Sequence, residues 1–437
     1  HYTVDEHTIR AVDHMARMER GEDGFALAGR LFEMVENRRA LYLAMLLHDT
    51  GKGLGDQQVE GMKTAHAAGT RLGLDDAEIG LIAWLVGHHL EMSETAQKRD
   101  ISDPRTIVNF AREVGDLERL RLLYILTVAD IRAVGPNVWN TWKGQLLADL
   151  YHNTEAALRG GRTEEAEVAA ELKARADDNR AALLARLGGV PPVMQELDEA
   201  YWTEFDVDTL ADHADLFGAD GATVVSARSR DAAGGTELFV SGRDRVGLFA
   251  RITAAIDEAG ANIISAQVYT AQSGAIVDVF VLQDDEGQPF AHGDRGRLDR
   301  LERAVCAAIE SDAEIPRPKQ RANPREAAFD VKPSVTFSDD ASRAYTVIDI
   351  AGRDRPGLLM DVGTVLADAG ISIVSAHVGS YGERVFDAFY VSLPDDFDAD
   401  MKSSLRDQLL AAIGREEPEG PRTPARKLRR ASPSDSF

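Results

Sequence analysis

Two residues that can bind a metal ion, His48 and Asp49, are neighbours in the sequence. They follow an apolar run of helical character, Leu41–Leu47, and precede a glycine-rich break over residues 51–55. Imidazole nitrogens and carboxylate oxygens suit Mn, Fe, Mg or Zn, and no thiolate accompanies them. Lys52 comes shortly after the pair and could hold a phosphate group. We interpret this segment as a helix end that delivers a metal-binding dyad. The alternatives are a helix-capping role for Asp49 and a solvent-exposed Lys52.

Further candidate ligands lie far from the dyad in the sequence. His7 belongs to a predicted helix that begins at Val4, and Asp130 belongs to an apolar run that predicts a helix over Leu117–Val134. A carboxylate buried in such a helix is costly unless it is paired or bound to a cation. Each of these residues alone is more typical of a surface or satisfied core position. Their joint order, with the His–Asp dyad between them, resembles that of the HD-domain metal-dependent phosphohydrolases.

The elements that must position these side chains are helical. Apolar residues recur every three or four positions through residues 1–159, which predicts an all-helical domain. One of its helices, over about residues 76–89, ends in the pair His88-His89. Residues 160–220 are rich in helix-forming residues and contain the breaker cluster Gly188–Pro192. We interpret this second segment as a helical connector without chemistry.

The last half of the chain contains a repeated module. Gly242–Phe249 returns with the same Gly-Arg-Asp-Arg-x-Gly-Leu pattern at Gly352–Leu359. Each copy has the pattern of strand, turn, helix, strand, hairpin, strand and helix, and Pro333–Phe337 is expected to close the first copy as its last strand. The repeat resembles the ACT domain, a βαββαβ ferredoxin-like unit that binds amino acids and often pairs side by side. We expect copies at residues 221–340 and 341–414.

The repeated turn has the features of a ligand site. Glycine lets the backbone approach a ligand closely, and the following helix N-terminus presents free N–H groups to a carboxylate. The alternatives are that the glycines merely permit a tight turn and that the arginines pair with local carboxylates. The candidate ligand contacts are Asp244, Arg245, Gly247, Leu248, Asp354, Arg355, Gly357 and Leu358.

Composition narrows the class of protein. The chain has 437 residues, which predicts several domains, and its net charge of −24 argues against nucleic acid as a partner. No apolar run approaches the roughly 20 residues of a membrane span, so no membrane partner is expected. The single cysteine, Cys306, excludes an internal disulfide and fits the cytoplasm. The chain starts at His1, as expected for a piece of a longer protein, and residues 415–437 have the composition of a disordered tail.

A helical HD-type domain, a connector and two ACT domains, in an α + α/β arrangement, resemble the C-terminal half of one family. That family is the bifunctional uridylyltransferase/uridylyl-removing enzymes. The segments Arg99–Pro104, Leu126–Ile131 and Trp139–Lys143 carry the resemblance further. It implies metal-dependent removal of UMP from a tyrosine of the uridylylated PII nitrogen-regulatory protein, with glutamine as the effector of the ACT domains. The family's nucleotidyltransferase half is expected to be absent.

The resemblance also implies roles for individual residues. The implied metal ligands are His7, His48, Asp49, His89 and Asp130, and the implied catalytic residues are His48, Asp49 and Lys52. Mn or Mg is the expected metal, with Fe and Zn as alternatives. One departure matters, because Gln57 stands where the family usually has a histidine. A two-metal site would lose one good ligand there.

Two other functions fit the same sequence. One is an HD–ACT hydrolase of another nucleotide, such as a guanosine polyphosphate. The other is a glutamine-sensing regulatory fragment with weak catalysis, an alternative that Gln57 keeps open. Pairing of ACT domains also makes a homo-oligomer an expectation for this chain.

Overall fold

The computed structural model describes most of the chain. The described residues are 3–22, 26–135, 138–162, 164–217, 222–230, 234–271, 273–311, 313, 315, 332–342, 345–378, 380–381, 384–394 and 396–414. The predicted disordered tail, 415–437, lies outside them. Within the described part, no helix has the length and apolar character needed to cross a membrane.

The first part of the chain is helical throughout the residues that the structure describes. Its helices are α1 (Val4–Glu19), α2 (Ala26–Met34), α3 (Arg38–Leu47), α4 (Gln57–Leu72), α5 (Asp76–His88), α6 (Glu91–Lys98), α7 (Pro104–Val114), α8 (Leu117–Val134) and α9 (Thr141–Gly160). Helix α8 is buried along most of its length and contacts α1, α2, α3, α5 and α9. A polar side chain on this central helix must therefore find its partners inside the domain.

The connector joins the two halves of the molecule by packing on both. It contains α10 (Glu165–Leu187), α11 (Pro192–Gln195), α12 (Glu199–Glu204) and α13 (Val207–Leu216). Near the start of α10, Val168 and Leu172 belong to the core of the helical domain. Further along the same helix, Ala176 and Leu183 belong to a core shared with the sheet that follows. One continuous helix thus contributes to two cores.

The second half contains the two repeats in one sheet. The first repeat contains β1 (Val224–Arg230), β2 (Gly235–Arg243), α14 (Leu248–Glu258), β3 (Asn262–Thr270), β4 (Ala275–Gln283) and α15 (Arg295–Glu310). The second contains β5 (Ser334–Ser338), β6 (Thr346–Arg353), α16 (Leu358–Asp368), β7 (Ser372–His377), β8 (Ser380–Tyr381), β9 (Arg384–Ser392) and α17 (Ala399–Ile413). The expected combination of an all-helical domain with α/β repeats is confirmed.

The two repeats pair side by side within the single chain. The sheet order is β1-β2-β4-β3-β7-β9-β6-β5, with β8 paired to β9, among the described strands. The seam between the repeats is the antiparallel pair β3 and β7, in which Ser265 lies opposite His377 and Ala266 opposite Ala376. Helices α14 to α17 cover one face of the sheet. The pairing that ACT domains often make between chains is therefore made here between two copies in one chain.

The expectation that Pro333–Phe337 closes the first repeat is wrong. Strand β5 pairs with β6 of the second repeat, with Val335 opposite Ile350. Strand β1 likewise pairs with β2, the strand that follows it. Antiparallel strands that are consecutive in sequence can pair through a short connection, whereas closing the first repeat would require a longer return. The alternating pattern predicted the strand but could not identify its partner.

The helical domain docks on the sheet face of the second repeat, opposite α16 and α17. The guanidinium of Arg99, just after α6, makes two hydrogen bonds to the carboxylate of Asp349 on β6. The next residue, Asp100, donates its N–H to the hydroxyl oxygen of Tyr390 over 2.7 Å. These contacts connect the sheet to Arg99 and Asp100, which directly follow α6. Helix α6 itself begins two residues after His89.

Candidate metal centre

Three helices bring together residues that are far apart in sequence. His7 lies in the first turn of α1, His48 directly follows α3, and Asp130 lies in α8. One ligand atom from each of these residues lies within 4.8 Å of the other two. His7 and His48 are buried and Asp130 is nearly so. The structure thus collects three of the five predicted metal ligands into one cluster.

The distances in this cluster are short. His7 Nε2 lies 2.9 Å from Asp130 Oδ1 and 3.1 Å from His48 Nε2. His48 Nε2 lies 3.6 Å from the same oxygen of Asp130. Two ring nitrogens and a carboxylate oxygen therefore face one small volume, a donor set that suits a divalent transition metal or Mg.

Backbone carbonyls orient two of the histidine rings. His48 Nδ1 donates to the Met45 carbonyl and His89 Nδ1 donates to the Val86 carbonyl, each over 2.7 Å. A carbonyl oxygen can only accept, so the ring proton resides on Nδ1 and the lone pair of the neutral ring resides on Nε2. Metal-binding histidines are commonly held in this way by a second hydrogen bond. Both Nε2 atoms are consequently prepared as ligands.

The pKa directions in the cluster favour an ionised carboxylate beside a cation. Burial alone would raise the pKa of Asp130, but its contacts with His48 and His7 outweigh burial and lower it. Burial opposes protonation of His48, but the charge of Asp130 outweighs it and raises the pKa of His48. Burial dominates at His89 and lowers its pKa. A positive charge is thus stabilised next to Asp130, whether a proton or a metal ion supplies it.

Asp49 lies at the margin of the cluster. Its Oδ2 is 3.8 Å from His48 Nε2 and 4.0 Å from His7 Nε2. The same oxygen is 3.0 Å from Lys52 Nζ, and Oδ1 accepts from Gln57 Nε2 over 2.9 Å. The following helix, α4, is capped by a different aspartate, so the capping alternative for Asp49 does not describe this structure.

Gln57 is a neighbour of both remaining candidate ligands. It is the first residue of α4, and its Nε2 lies 3.4 Å from His89 Nε2 as well as within hydrogen-bond distance of Asp49. The glutamine thus lies at the margin of the cluster, between Asp49 and His89. It presents a hydrogen-bond donor to Asp49 in place of an imidazole lone pair.

Lys52 and His88 differ in their relation to the site. Lys52 reaches Asp49, but its side chain is 57% exposed, so it can turn toward a group at the mouth of the cluster. His88 stacks on Trp84 with ring centroids 4.5 Å apart, and its Nε2 lies 2.8 Å from Glu113. Of the two adjacent histidines, His89 therefore faces the cluster and His88 faces away from it.

Two glycines, Gly51 in the predicted glycine-rich break and Gly61 in α4, allow the loop to reach the site. A Cβ atom at Gly51 would lie 2.0 Å from the Gln57 carbonyl oxygen and 2.6 Å from the Gly61 nitrogen. A Cβ atom at Gly61 would lie 2.9 Å from Val86. Because backbone cannot yield as a flexible side chain does, the loop after the dyad can approach α4 closely only with glycine at 51.

The predicted ligand contacts in the repeats divide into two groups. Arg245 donates to the Ser311 carbonyl at the end of α15, and Arg355 donates to the Ala412 carbonyl near the end of α17 over 2.6 Å. Arg355 also pairs with Asp361 at 2.7 Å, as the alternative of a local carboxylate predicted. Cations favour helix C-termini, so both arginines have a role within their own repeat.

The remaining members of this predicted set lie at the turns themselves. The two glycines both have φ 77°, which favours glycine and fits the alternative that they permit a tight turn. The leucines that follow are buried in the core, and the aspartates of the turns are exposed. The glycines are Gly247 and Gly357, the leucines are Leu248 and Leu358, and the aspartates are Asp244 and Asp354.

Comparisons with known proteins agree with this architecture. Residues 4–133 match the HD domain family, and residues 236–289 and 346–413 match the ACT domain family. A bifunctional uridylyltransferase/uridylyl-removing enzyme of Phenylobacterium zucineum (strain HLK1) is 46% identical over 446 residues, covering 99% of this chain and 47% of that protein. Proteins of the same name from Caulobacter vibrioides (strain NA1000 / CB15N) and Novosphingobium aromaticivorans are 44% and 42% identical, covering 96% and 90% of this chain and 46% and 44% of theirs.

The chain spans about half the length of the curated relatives that it matches. The matched ranges include the helices that carry the cluster and both copies of the repeated turn. The resemblance expected from the order of the motifs is confirmed. With an HD domain followed by tandem ACT domains, the chain belongs, over the part that it matches, to the family of bifunctional uridylyltransferase/uridylyl-removing enzymes.

Proposed function

We propose that this chain hydrolyses the phosphodiester between UMP and a tyrosine of the uridylylated PII protein. The observation that carries the proposal is the cluster of His7, His48 and Asp130 within an HD domain. The relatives are named as uridylyl-removing enzymes, and the cluster offers the nitrogen and oxygen ligands that metal-assisted hydrolysis needs.

The residues of the cluster would hold one divalent metal ion, for which Mn or Mg is proposed. Such an ion would supply an activated water molecule near neutral pH and would offset negative charge on the phosphoryl group. His48 contributes an Nε2 lone pair that its bond to Met45 directs inward. Asp130 stays ionised, and Asp49 and His89 border the same volume.

Lys52 is proposed to bind a phosphoryl oxygen of the substrate. Its ammonium group is at the exposed end of the cluster and already contacts one carboxylate, Asp49. An anionic phosphodiester at this mouth would compete with Asp49 for the lysine. That exchange would leave Asp49 free to accept a proton from a water molecule or to bind the metal.

Glutamine is proposed as the effector of the ACT repeats, and the junction at Arg99 as the connection to the metal centre. The bond between Arg99 and Asp349 joins the sheet of the second repeat to the residue after α6. Helix α6 begins two residues after His89. A shift of the sheet would therefore be transmitted to the proposed metal ligand His89 through the short helix α6.

The test is an assay of the purified chain with uridylylated PII in the presence of MnCl2 or MgCl2. We expect UMP release that requires the metal and increases with L-glutamine. A guanosine polyphosphate is assayed in parallel, and hydrolysis of that nucleotide without UMP release would identify another HD–ACT hydrolase and overturn the proposal.

A specific observation supports a second candidate, a glutamine sensor with weak catalysis. Gln57 places an amide nitrogen between Asp49 and His89, where a second metal would require a ligand. Metal content measured on the chain and on Gln57→His separates the two functions. The hydrolase should retain about one metal ion per chain without the substitution, and the variant should retain more. If the unsubstituted chain retains no metal and adding Mn or Mg yields no hydrolysis, the sensor is the better description.

A further inference from the structure

The segment Trp139–Lys143 joins the helical domain to the first repeat. Asn140 caps α9 by accepting the N–H of Lys143, and its amide nitrogen donates to Gln283 Oε1 over 3.1 Å. Gln283 is the last residue of β4 and is only 4% exposed, and its own amide nitrogen donates to the Gly234 carbonyl over 2.7 Å. The buried amide of Gln283 is therefore satisfied at both ends, by one residue of each domain.

Gly234, directly before β2, packs closely against the start of α9. A Cβ atom at this position would lie 2.8 Å from the Thr141 Cβ and 2.8 Å from the Trp142 nitrogen. Helix backbone cannot yield to such a contact as a flexible side chain can, so a larger residue would push α9 and β2 apart. The first repeat thus holds the N-terminus of α9 by shape as well as by hydrogen bonds.

The same segment reaches α8, the helix that carries Asp130. The Trp139 ring packs against the core of the helical domain and lies on the backbone of α9, where a Cβ atom at Gly144 would be 2.9 Å from it. On α8, the Arg132 guanidinium lies 5.9 Å from the centre of the same ring, two residues after Asp130. A displacement of the start of α9 is therefore transmitted to the end of α8 through Trp139.

The second repeat contacts the helical domain at the equivalent place. Strand β6 is the counterpart of β2, since both lead to the repeated turn. Before β6, the Ser342 hydroxyl donates to the carboxylate of Asp103, which caps α7 as Asn140 caps α9. Each repeat thus contacts the N-cap residue of one helix. The two capped helices follow different candidate ligands, because α9 comes after Asp130 and α7 comes after His89 and α6.

We infer that the two repeats act on different ligands of the candidate metal centre, the first on Asp130 through Trp139–Lys143 and the second on His89 through α6. The first junction positions α8 and α9 at the spacing in which Asp130 meets His7 and His48. The connection at Arg99 proposed above serves only the second repeat. The first junction requires the metal centre of the proposed function, but neither its substrate nor its effector.

The test compares two glycine substitutions in the first repeat, with Mn²⁺ affinity of the whole chain measured by calorimetry. Gly234 and Gly274 both have positive φ, so alanine strains the backbone at both positions, but a Cβ atom at Gly274 meets nothing within 4 Å. Gly234→Ala should weaken Mn²⁺ binding by about 3- to 10-fold, whereas Gly274→Ala should change it by less than about twofold.

Asn140→Asp separates the junction from helix capping. Aspartate still caps α9 but cannot donate to Gln283, so Mn²⁺ binding should weaken by about threefold although the cap is retained. Amide hydrogen exchange then locates the effect. Gly234→Ala should accelerate exchange in residues 126–134 and leave residues 86–92 unchanged, whereas Arg99→Ala should give the reverse pattern.

The outcomes distinguish this junction from the proposed function. Equal Mn²⁺ affinity and equal exchange in Gly234→Ala and Gly274→Ala would overturn the first junction, and equal acceleration of both ligand segments would overturn the division between the repeats. If the chain binds Mn²⁺ but releases no UMP, the proposed function fails and the affinities still decide the junction. If it binds no Mn²⁺, the exchange pattern decides it. Thermal unfolding of each variant verifies that it is folded.

Discussion

The candidate metal centre and the turns of the ACT repeats use charged residues in opposite ways. In the helical domain, the side chains of His7, His48 and Asp130 direct their polar atoms toward one another, with one ligand atom of each within 4.8 Å of the other two. In the repeats, Arg245 and Arg355 turn away from the expected ligand site and bind the ends of neighbouring helices. Charged residues in a sequence motif can therefore form a candidate ligand cluster in one region and stabilise helix ends in another.

The difference follows from the cost of burial. A lone carboxylate on the central helix α8 is tolerated when cationic or metal-binding groups neutralise it, so Asp130 requires partners that face it. An arginine has several donors and can satisfy backbone carbonyls that a helix end leaves open. The helical domain thus concentrates polar groups at one point, whereas the repeats distribute them along the edges of helices.

The largest expected effect on activity comes from a substitution in the cluster of the helical domain. Asp130→Asn removes the charge that holds the cluster together, and UMP release should fall by ~10³-fold or more because metal-assisted hydrolysis is lost. Metal content should fall with it, whereas L-glutamine binding should be unchanged. Parallel loss of glutamine binding and of the cooperative unfolding transition would show that the substitution unfolds the chain, contrary to this expectation.

A substitution at the turn of the second ACT repeat should instead lower the stability of the chain. Arg355→Ala leaves the buried Asp361 without its ion pair and the end of α17 without a donor, which should lower the free energy of unfolding by roughly 3–5 kcal/mol. Denaturant unfolding measures the change. Arg353→Ala, at a neighbouring position of the sequence, serves as the control and should change stability less. A stable Arg355→Ala chain with impaired glutamine binding would make the arginine a ligand contact.

The seam of the repeats should respond to pH. Burial, with a contribution from the charge of Arg99, lowers the pKa of His377 to about 4 from its ordinary 6.5. The unfolded chain then takes up the proton first as the pH falls, so the contribution of His377 to stability decreases from about pH 6.5 toward pH 4, by about 3 kcal/mol in total. Unfolding measured across this range should show a smaller slope for His377→Asn. Equal slopes for the two chains would contradict the prediction.

The smallest expected effect concerns the junction between the two regions. The Arg99–Asp349 pair is partly exposed, so Arg99→Ala should cost only about 1 kcal/mol of stability. Basal UMP release and glutamine affinity should persist, while stimulation by glutamine should fall severalfold. Arg105→Ala removes another hydrogen bond of the same junction, to Ser342, and provides a comparison. Full stimulation in both variants would exclude this junction as the connection.

Periodicity and motif order predicted much of the molecule. The start of α1 and both ends of α8 agree with the predicted helices, because an amphipathic or wholly apolar run constrains a helix locally. The order of His7, the dyad and Asp130 indicated candidate metal ligands because it resembles that of the HD-domain phosphohydrolases, and the structure brings His7, His48 and Asp130 together. The partner strand of Pro333–Phe337 could not be predicted, because strand pairing depends on long-range contacts that the alternating sequence pattern does not specify.

The sequence by itself determined the types of element, the repeat and the identity of the candidate ligands. Tertiary structure alone decided that Gln57 contacts Asp49 and that Asp257 meets Gly357, and it shows the implied ligand His89 facing the cluster while His88 faces away. The physical reason is that local patterns report how each residue fits its own helix or strand. Which polar atoms meet depends on how those elements pack, and here the packing makes two nearly identical turns different.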